Sequence, residues 1–249
     1  MSGPERSVRD ATHADVPALI GIAAAGGSPD ADERYLDFVA SHGRLLVAQH
    51  EGDVVGFAGG VLIGDALMIT DLFVDEAHRG RRLASHLAAE VATVSTRRIT
   101  FSSQHPGALA VYRGLGMIEQ WPLLTLRGRA TGGAEPLGPS PWRHDRRELV
   151  EYFRSNGAIV AGDVIVQPAT GDRPAVVLRM VADEPERRLV DTLAALPAGT
   201  EVELSVPEPH PLTAALNRLG FEVVDEDRCV ATDGVHLNPQ VAPLHRGLL

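Results

Sequence analysis

The 249-residue sequence contains no lysine; its 23 basic side chains are all arginine, against 33 acidic ones, for a net charge of −10. That balance excludes a general phosphate-backbone binder, whose affinity comes from accumulated positive charge. Aromatic residues make up only 4% of the chain, too few for base-stacking platforms. Long apolar runs are missing as well. No window approaches the roughly 20 residues of a membrane-spanning helix, and the opening stretch MSGPERSVRD has no apolar signal core. A single cysteine, Cys229, excludes an internal disulfide and a cysteine metal cluster. The ten histidines show no paired ligand spacing, so no metal is expected. The expectation is a cytoplasmic protein in a reducing compartment, with no nucleic-acid or membrane partner.

What is present is core-forming material: 44% of residues are hydrophobic and 22% charged, a globular balance, and the length corresponds to about 1.7 domains. In the first half, residues 7–12 read as extended, and Asp15 is placed to N-cap an apolar helix over 16–25. A polar start at 28–33 leads into a second helix carrying Tyr35, Leu36, Phe38 and Val39. Residues 45–49 and 54–62 flank the turn His50-Glu51-Gly52-Asp53 and predict a hairpin. A third strand spans 66–74, followed by a charged loop at 75–82 and a helix whose apolar positions include Leu83, Leu87 and Val91. A strand at 98–102, a helix at 106–115 and a strand at 117–126 complete this unit near residue 128. Gly56, Gly59 and Gly60 inside a strand mark a bulge or a close backbone approach.

Residues 130–141, ATGGAEPLGPSP, read as a linker. Beyond it the pattern predicts a helix at 145–155, strands at 158–166 and 174–181, a helix at 184–196, a strand at 200–206, a helix at 212–219 and a strand at 221–231. The run Asp225-Glu226-Asp227 reads as a solvated turn, and residues 233–249 as a tail that is disordered or packed on the second unit. A weak internal repeat sets Gly116 against Gly220, each closing a Leu-Gly helix end after a His/Pro turn. The halves differ in charge, net −3 for 1–130 and −7 for 131–249. The expected fold is α/β, with a mixed, mostly antiparallel sheet flanked by helices in two tandem units, 1–129 and 142–249.

The richest segment joins the third strand to the following helix through Asp75-Glu76-Ala77-His78-Arg79-Gly80-Arg81-Arg82-Leu83-Ala84. A helix start offers free N–H groups and a favourable dipole to phosphate, and arginines add charge. These residues resemble the acyl-CoA motif of the GNAT superfamily of N-acetyltransferases, Arg/Gln-x-x-Gly-x-Gly/Ala, with Arg79 first and Ala84 last. Arg82 stands where that family prefers Gly. A second block, His105 to Met117, is similar to the family's Asn-x-x-Ala-x-x-x-Tyr-x-x-x-Gly-Phe, with Ala108, Tyr112 and Gly116 matching, His105 replacing Asn and Met117 replacing Phe. The resemblance covers residues 7–128. In the second half it extends only to the closing helix and strand, where Leu216 faces Tyr112 and nothing matches the arginine loop.

The resemblance implies direct acyl transfer from acetyl-CoA, a cosubstrate, to an amine. Residues 80–84, with Arg79, Arg81, Arg82 and Leu83 among the contacts, hold the pyrophosphate; Phe73 and Val74 flank the pantetheine arm, next to His105 and Ala108; Tyr112 is the general acid. For the general base, Asp71 is the first candidate, with Glu33 and Asp37 on the second helix as more distant candidates or, instead, as selectors of a cationic acceptor, and His105 a titratable alternative. The expectation is an N-acetyltransferase acting on a small-molecule primary amine, with the second half a degenerate copy that pairs with the first as a pseudo-dimer within one chain, or a homodimer. Acetylation of a protein N-terminus or lysine, and a non-catalytic acyl-CoA sensor, remain alternatives.

Overall fold

A computed structural model gives the fold for residues 6–28, 31–237 and 241–245. The chain divides into two compact units, Met1–Gln120 with Val230–Val235, and Trp121–Cys229 with His236–Leu249. The first carries strands β1 (Arg6–Asp10), β2 (Gly43–His50), β3 (Asp53–Ile63), β4 (Ala66–Val74) and β5 (Arg97–Ser103), side by side in that order. Its helices are α1 (Val16–Ala25), α2 (Glu33–His42), α3 (Leu83–Val91) and α4 (Pro106–Gly114).

Local chemistry explains most of these elements. Glu51 and Gly52 both take positive φ (54° and 94°), the combination whose twist suits a two-residue hairpin between β2 and β3. The Asp32 side chain accepts from the Tyr35 N–H at 2.8 Å and starts α2. Leu83, Leu87, Ala88 and Val91 form the buried stripe of α3, which joins Leu46, Ala58, Leu67 and Ile69 from the sheet in one core. The first four strands pair antiparallel, and α3 is the crossover that makes β5 parallel to β4.

The second unit contains β6 (Ile118–Arg129), β7 (Ile159–Ala161), β8 (Val164–Gln167), β9 (Ala175–Met180), β10 (Glu201–Pro207) and β11 (Glu222–Ala231), in the order β11-β6-β10-β9-β8-β7. Its helices are α5 (Arg147–Ser155), α6 (Pro185–Ala195) and α7 (Pro211–Arg218). Again one pair is parallel, β9 with β10 across α6, while β7, β8 and β9 pair antiparallel in sequence and β6 runs antiparallel to β10. The mixed, mostly antiparallel α/β architecture is the one expected. Among the described residues no helix is long and apolar enough to cross a membrane.

Several elements differ from the sequence reading. The division between units falls before Trp121 rather than at residue 129. β6 pairs with β10 from Leu123↔Pro207 to Arg129↔Glu201, while in the first unit the Thr232 N–H donates to the Arg98 carbonyl (2.9 Å) and Arg98 returns a bond to the Thr232 hydroxyl (2.9 Å). Such partners are remote in sequence, and local pattern does not reveal them. The Gly/Pro-rich segment 130–141 is tied to the second unit: Ala130, Gly132, Ala134 and Ser140 donate backbone bonds to Thr200, Leu193, Ala194 and Val160. The stretch 158–166 is the β7–β8 hairpin, turning at Gly162 with φ 69°.

Asp225-Glu226-Asp227 lies within β11. Asp15 does not cap α1 with its side chain. Its carboxylate turns back to the Thr12 N–H (2.7 Å) and to the Arg9 guanidinium (2.7 and 2.8 Å), and the Arg9 hydrogen bond holds it well below the usual carboxylate range. Parts of the polar start at 28–33 and of the tail lie outside the described residues.

Candidate active site

The parallel pairing of β4 with β5 stops early. Its register runs Ala66↔Arg97, Leu67↔Arg98, Met68↔Ile99 and no further, and the Thr100 hydroxyl donates to the Ile69 carbonyl (2.8 Å) where the strands part. On the other side of β4 the register jumps from Gly59↔Asp71 to Gly60↔Ile69, leaving Thr70 as the extra residue of a bulge. The glycines of β3 make room for it. A Cβ on Gly59 would lie 3.0 Å from Asp71 Oδ2 and from Thr70 Oγ1.

Asp71 is thereby buried at the point where the strands splay, with 5% exposure. Its Oδ2 accepts from the Thr70 hydroxyl and from the Tyr35 hydroxyl, both at 2.7 Å. Oδ1 receives no hydrogen bond among the described residues. Burial pushes this carboxyl above its ordinary range, against the lowering effect of the Thr70 and Tyr35 bonds. Tyr35 was missed as a site residue. Its place in the apolar stripe of α2 concealed a hydroxyl that reaches a strand 36 residues away.

Tyr112 enters from α4 with 6% exposure. Its hydroxyl lies within electrostatic reach of Asp71, and burial, the largest influence, pushes the phenol up to about 12, against a lowering effect of Thr100. Tyr112 and Asp71 are thus both buried in the first unit, close enough for the carboxyl to influence the phenol. His105 caps α4, its Nδ1 accepting from the Gly107 N–H at 3.1 Å. That leaves the ring exposed and uses the nitrogen lone pair a base would need. Ala108, half-buried, stands in the first turn of α4.

At the far end of β4, the Asp75 N–H donates to the Val55 carbonyl (2.9 Å), and the Phe73 carbonyl faces Gly56. Alternation along the strand turns the backbone of Phe73 toward β3 and that of Leu72 and Val74 toward the open side. The Phe73 ring is engaged by Phe57, with centroids 5.4 Å apart. Arg79 Nε donates to the Val74 carbonyl (3.1 Å), fastening the loop to the strand.

Gly80 and Arg82 both take left-handed backbone, with φ 76° and 60°. This accounts for the family's glycine at position 82, since a side chain there costs roughly 1–2 kcal/mol. No side chain caps α3. The first helical bond is His86 N–H to the Arg82 carbonyl (3.0 Å), and the preceding amides of Leu83, Ala84 and Ser85 have no acceptor among the described residues. Leu83 is buried and Ala84 half-buried, while Arg79, Arg81 and Arg82 are exposed. Arg81 and Arg82 make no ion pair among the described residues. Uncapped amides beside free guanidinium groups fit a pyrophosphate.

Glu33 and Asp37 are exposed and lie roughly 160° around α2 from Tyr35, and Glu33 sits 3.7 Å from His13. The structure does not bring these two carboxylates to Asp71.

The second unit repeats the frame with other contents. β9 and β10 also hold parallel register for three pairs, Ala175↔Val202 to Val177↔Leu204. His210 caps α7 as His105 caps α4, accepting from the Leu212 N–H at 3.1 Å, and Gly220 matches Gly116 in φ (78° and 73°). Leu216, fully buried, replaces Tyr112, and the turn before α6 carries Asp183 and Glu184 where the first unit has arginines. Residues 241–244 fill the splay. The Met180 N–H donates to the Pro243 carbonyl and the Leu244 N–H to the Ser205 carbonyl, both at 3.0 Å, and Ala242 is fully buried.

Residues 16–117 match the model of the acetyltransferase (GNAT) family. Among solved structures, a protein of Pyrococcus horikoshii provisionally assigned as an acetyltransferase superposes with a TM-score of 0.73, over 96% of this chain and 94% of that one, at 13% identity. A GCN5-related N-acetyltransferase of Sphaerobacter thermophilus gives 0.59 over 93% and 98%, at 13% identity. A Thermoplasma acidophilum protein, also provisionally assigned as an acetyltransferase, gives 0.56 over 90% and 98%, at 14% identity. At these identities the likeness is one of fold. No curated protein sequence matches the chain. The segment 16–117 is therefore a domain of the acetyltransferase (GNAT) family, and the chain that carries it is an acyltransferase.

Proposed function

We propose that the chain transfers an acetyl or other short acyl group from acyl-CoA to the primary amine of a small molecule, using the cleft of the first unit, and that the second unit is a degenerate copy without a cofactor site. The observation that carries this reading is the buried Asp71 carboxylate, held by Tyr35 and Thr70 and within electrostatic reach of Tyr112, where β4 leaves β5. Acyl-CoA supplies an activated thioester whose carbonyl the amine attacks. The amides of Leu83 and Ala84, with Arg81 and Arg82, hold the pyrophosphate. The open backbone groups of Leu72 and the Val74 N–H accompany the pantetheine arm, the Val74 carbonyl being taken by Arg79.

Asp71 accepts the acceptor's proton on Oδ1, directly or through water, while Tyr35 and Thr70 fix Oδ2. Tyr112 gives its proton to the departing sulfur. A phenol pushed up to about 12 is fully protonated at neutral pH and is ready to donate. The net charge of −10 supports a cationic acceptor.

Calorimetric titration with acetyl-CoA, followed by a panel of amines assayed by thiol release, tests the proposal. One site per chain and amine-dependent release are expected. Absence of binding by acetyl-CoA and by longer acyl-CoAs overturns it.

A further inference from the structure

We propose that the second unit holds a binding site for a small oxyanion, a carboxylate or phosphate group, between the guanidinium groups of Arg146 and Arg179 at the start of α5. Arg179 lies in β9, two residues past its last parallel pair with β10, and is 5% exposed. The Arg146 side chain is 9% exposed, and its backbone takes the left-handed conformation (φ 59°, ψ 49°) immediately before the helix.

Among the described residues each guanidinium keeps a buried N–H without a partner, Nη1 of Arg146 and Nε of Arg179, and the neighbouring His144 Nε2 is unpartnered as well. The counter-charges do not complete the site. Asp145 Oδ1 stands 3.5 Å from Arg179 Nη2 with its own side chain 78% exposed, a contact at the outer limit of hydrogen bonding. Glu148 accepts from Nε of Arg146 at 2.5 Å and leaves Nη1 of that guanidinium without a partner among the described residues. Burial opposes the Arg179 charge, so a second anion relieves a cost the fold otherwise carries.

The helix adds to this. No side chain caps α5, and its first hydrogen bond is Val150 N–H to the Arg146 carbonyl (3.1 Å), so the positive end of the dipole points to the same place. A guanidinium fork suits the planar carboxylate and the tetrahedral phosphate alike. The site lies wholly in the second unit and does not depend on the transferase reading.

The test is calorimetric titration of the full chain with inorganic phosphate and, separately, with succinate, at constant ionic strength set by sodium chloride. Saturable binding of one or both is expected, and the comparison assigns phosphate or carboxylate as the preferred group. Arg146→Gly suits the left-handed backbone, so it keeps the fold while removing one guanidinium, and is expected to weaken binding tenfold or more. Asp145→Asn removes the competing carboxylate from an exposed position and is expected to tighten binding about threefold. Failure of both anions to bind, or binding that survives Arg146→Gly unchanged, overturns the proposal.

Discussion

The two units open the same cleft and fill it differently. Each has a parallel strand pair that keeps register for three residue pairs and then parts, and each follows with a helix capped by histidine ahead of proline. The opening thus follows from the backbone: a crossover, a bulge and a cap generate it whatever lines it. Chemistry depends on a few side chains. The first unit has Asp71, Tyr35 and Tyr112 at the fork and arginines at the helix start. The second has Leu216, an acidic turn, and residues 241–244 bonded to the parted strands. An extended segment of its own chain takes the kind of backbone groups that, in the first unit, stay open on Leu72 and at the Val74 N–H.

The largest effect expected from disturbing this contrast is at Asp71. Asp71→Asn removes the proposed proton acceptor and is expected to lower turnover by about 10²–10⁴-fold. Folding is not expected to suffer. Because burial raises the folded carboxyl above its unfolded value, the native state binds the proton more tightly than the unfolded chain. The stability this provides is present below the unfolded pKa of about 3.9 and is lost as pH rises through the folded value. At neutral pH the substitution is therefore expected to leave the thermal midpoint unchanged or raise it, while in the wild type the acid limb of the rate profile lies above the ordinary carboxylate range. A variant that loses activity because it melts early contradicts the assignment.

The second unit offers the complementary perturbation. Leu244, 2% exposed, holds the segment in its splay, and Leu244→Asp is expected to cost about 2–4 kcal/mol by burying a charge or expelling the strand, read by chemical denaturation. It is not expected to create a second acetyl-CoA site in calorimetry, because the turn before α6 has no arginine to face a pyrophosphate. Two sites in that variant break the comparison: the tail, not the missing charge, is then what closes the cleft.

Tyr112→Phe comes next, with turnover lowered tenfold or more and acetyl-CoA affinity unchanged. Its mirror image, Leu216→Tyr, is expected to add no activity, since Asp71 and the arginine loop have no counterparts there. Unchanged turnover in Tyr112→Phe removes the phenol from the proton path.

Much of this was legible in the sequence, and the failures share a cause. Strand β4 was predicted at 66–74 and is found there, because its apolar run is bounded by turn residues. The cap at His105 and the bulge at the β3 glycines also follow from local pattern and motif. Partners distant in sequence were hidden. β6 joins the second unit through pairing with β10; residues 130–141 read as a linker although their amides are bonded; residues 241–244 gave no sign of entering a sheet. Tyr35 belongs to the same class, since only the folded arrangement of α2 against β4 shows that its hydroxyl meets a carboxylate. Glu33 and Asp37 carry a suitable charge, but helical periodicity turns both away from the side of α2 on which Tyr35 reaches Asp71.

The smallest effect is the most discriminating about the phosphate loop. At Arg82 (φ 60°), Gly removes a left-handed strain of roughly 1–2 kcal/mol but adds unfolded-state freedom of roughly 0.5–1 kcal/mol. Arg82→Gly is therefore expected to stabilise the protein by less than about 1 kcal/mol. It also deletes one of the exposed guanidinium groups beside the uncapped amides of α3, so acetyl-CoA affinity is expected to fall a few-fold at low salt and less at high salt, where screening weakens the lost attraction. Stability and affinity moving in opposite directions mean that the arginine is kept for the ligand at the expense of the fold. Both rising together mean that the side chain obstructs the close approach a glycine permits, and that the amides alone hold the pyrophosphate. The second unit provides the control: its corresponding helix opens with Pro185 in the first turn and has no left-handed residue before it, so the strain at Arg82 belongs to the unit with the open cleft.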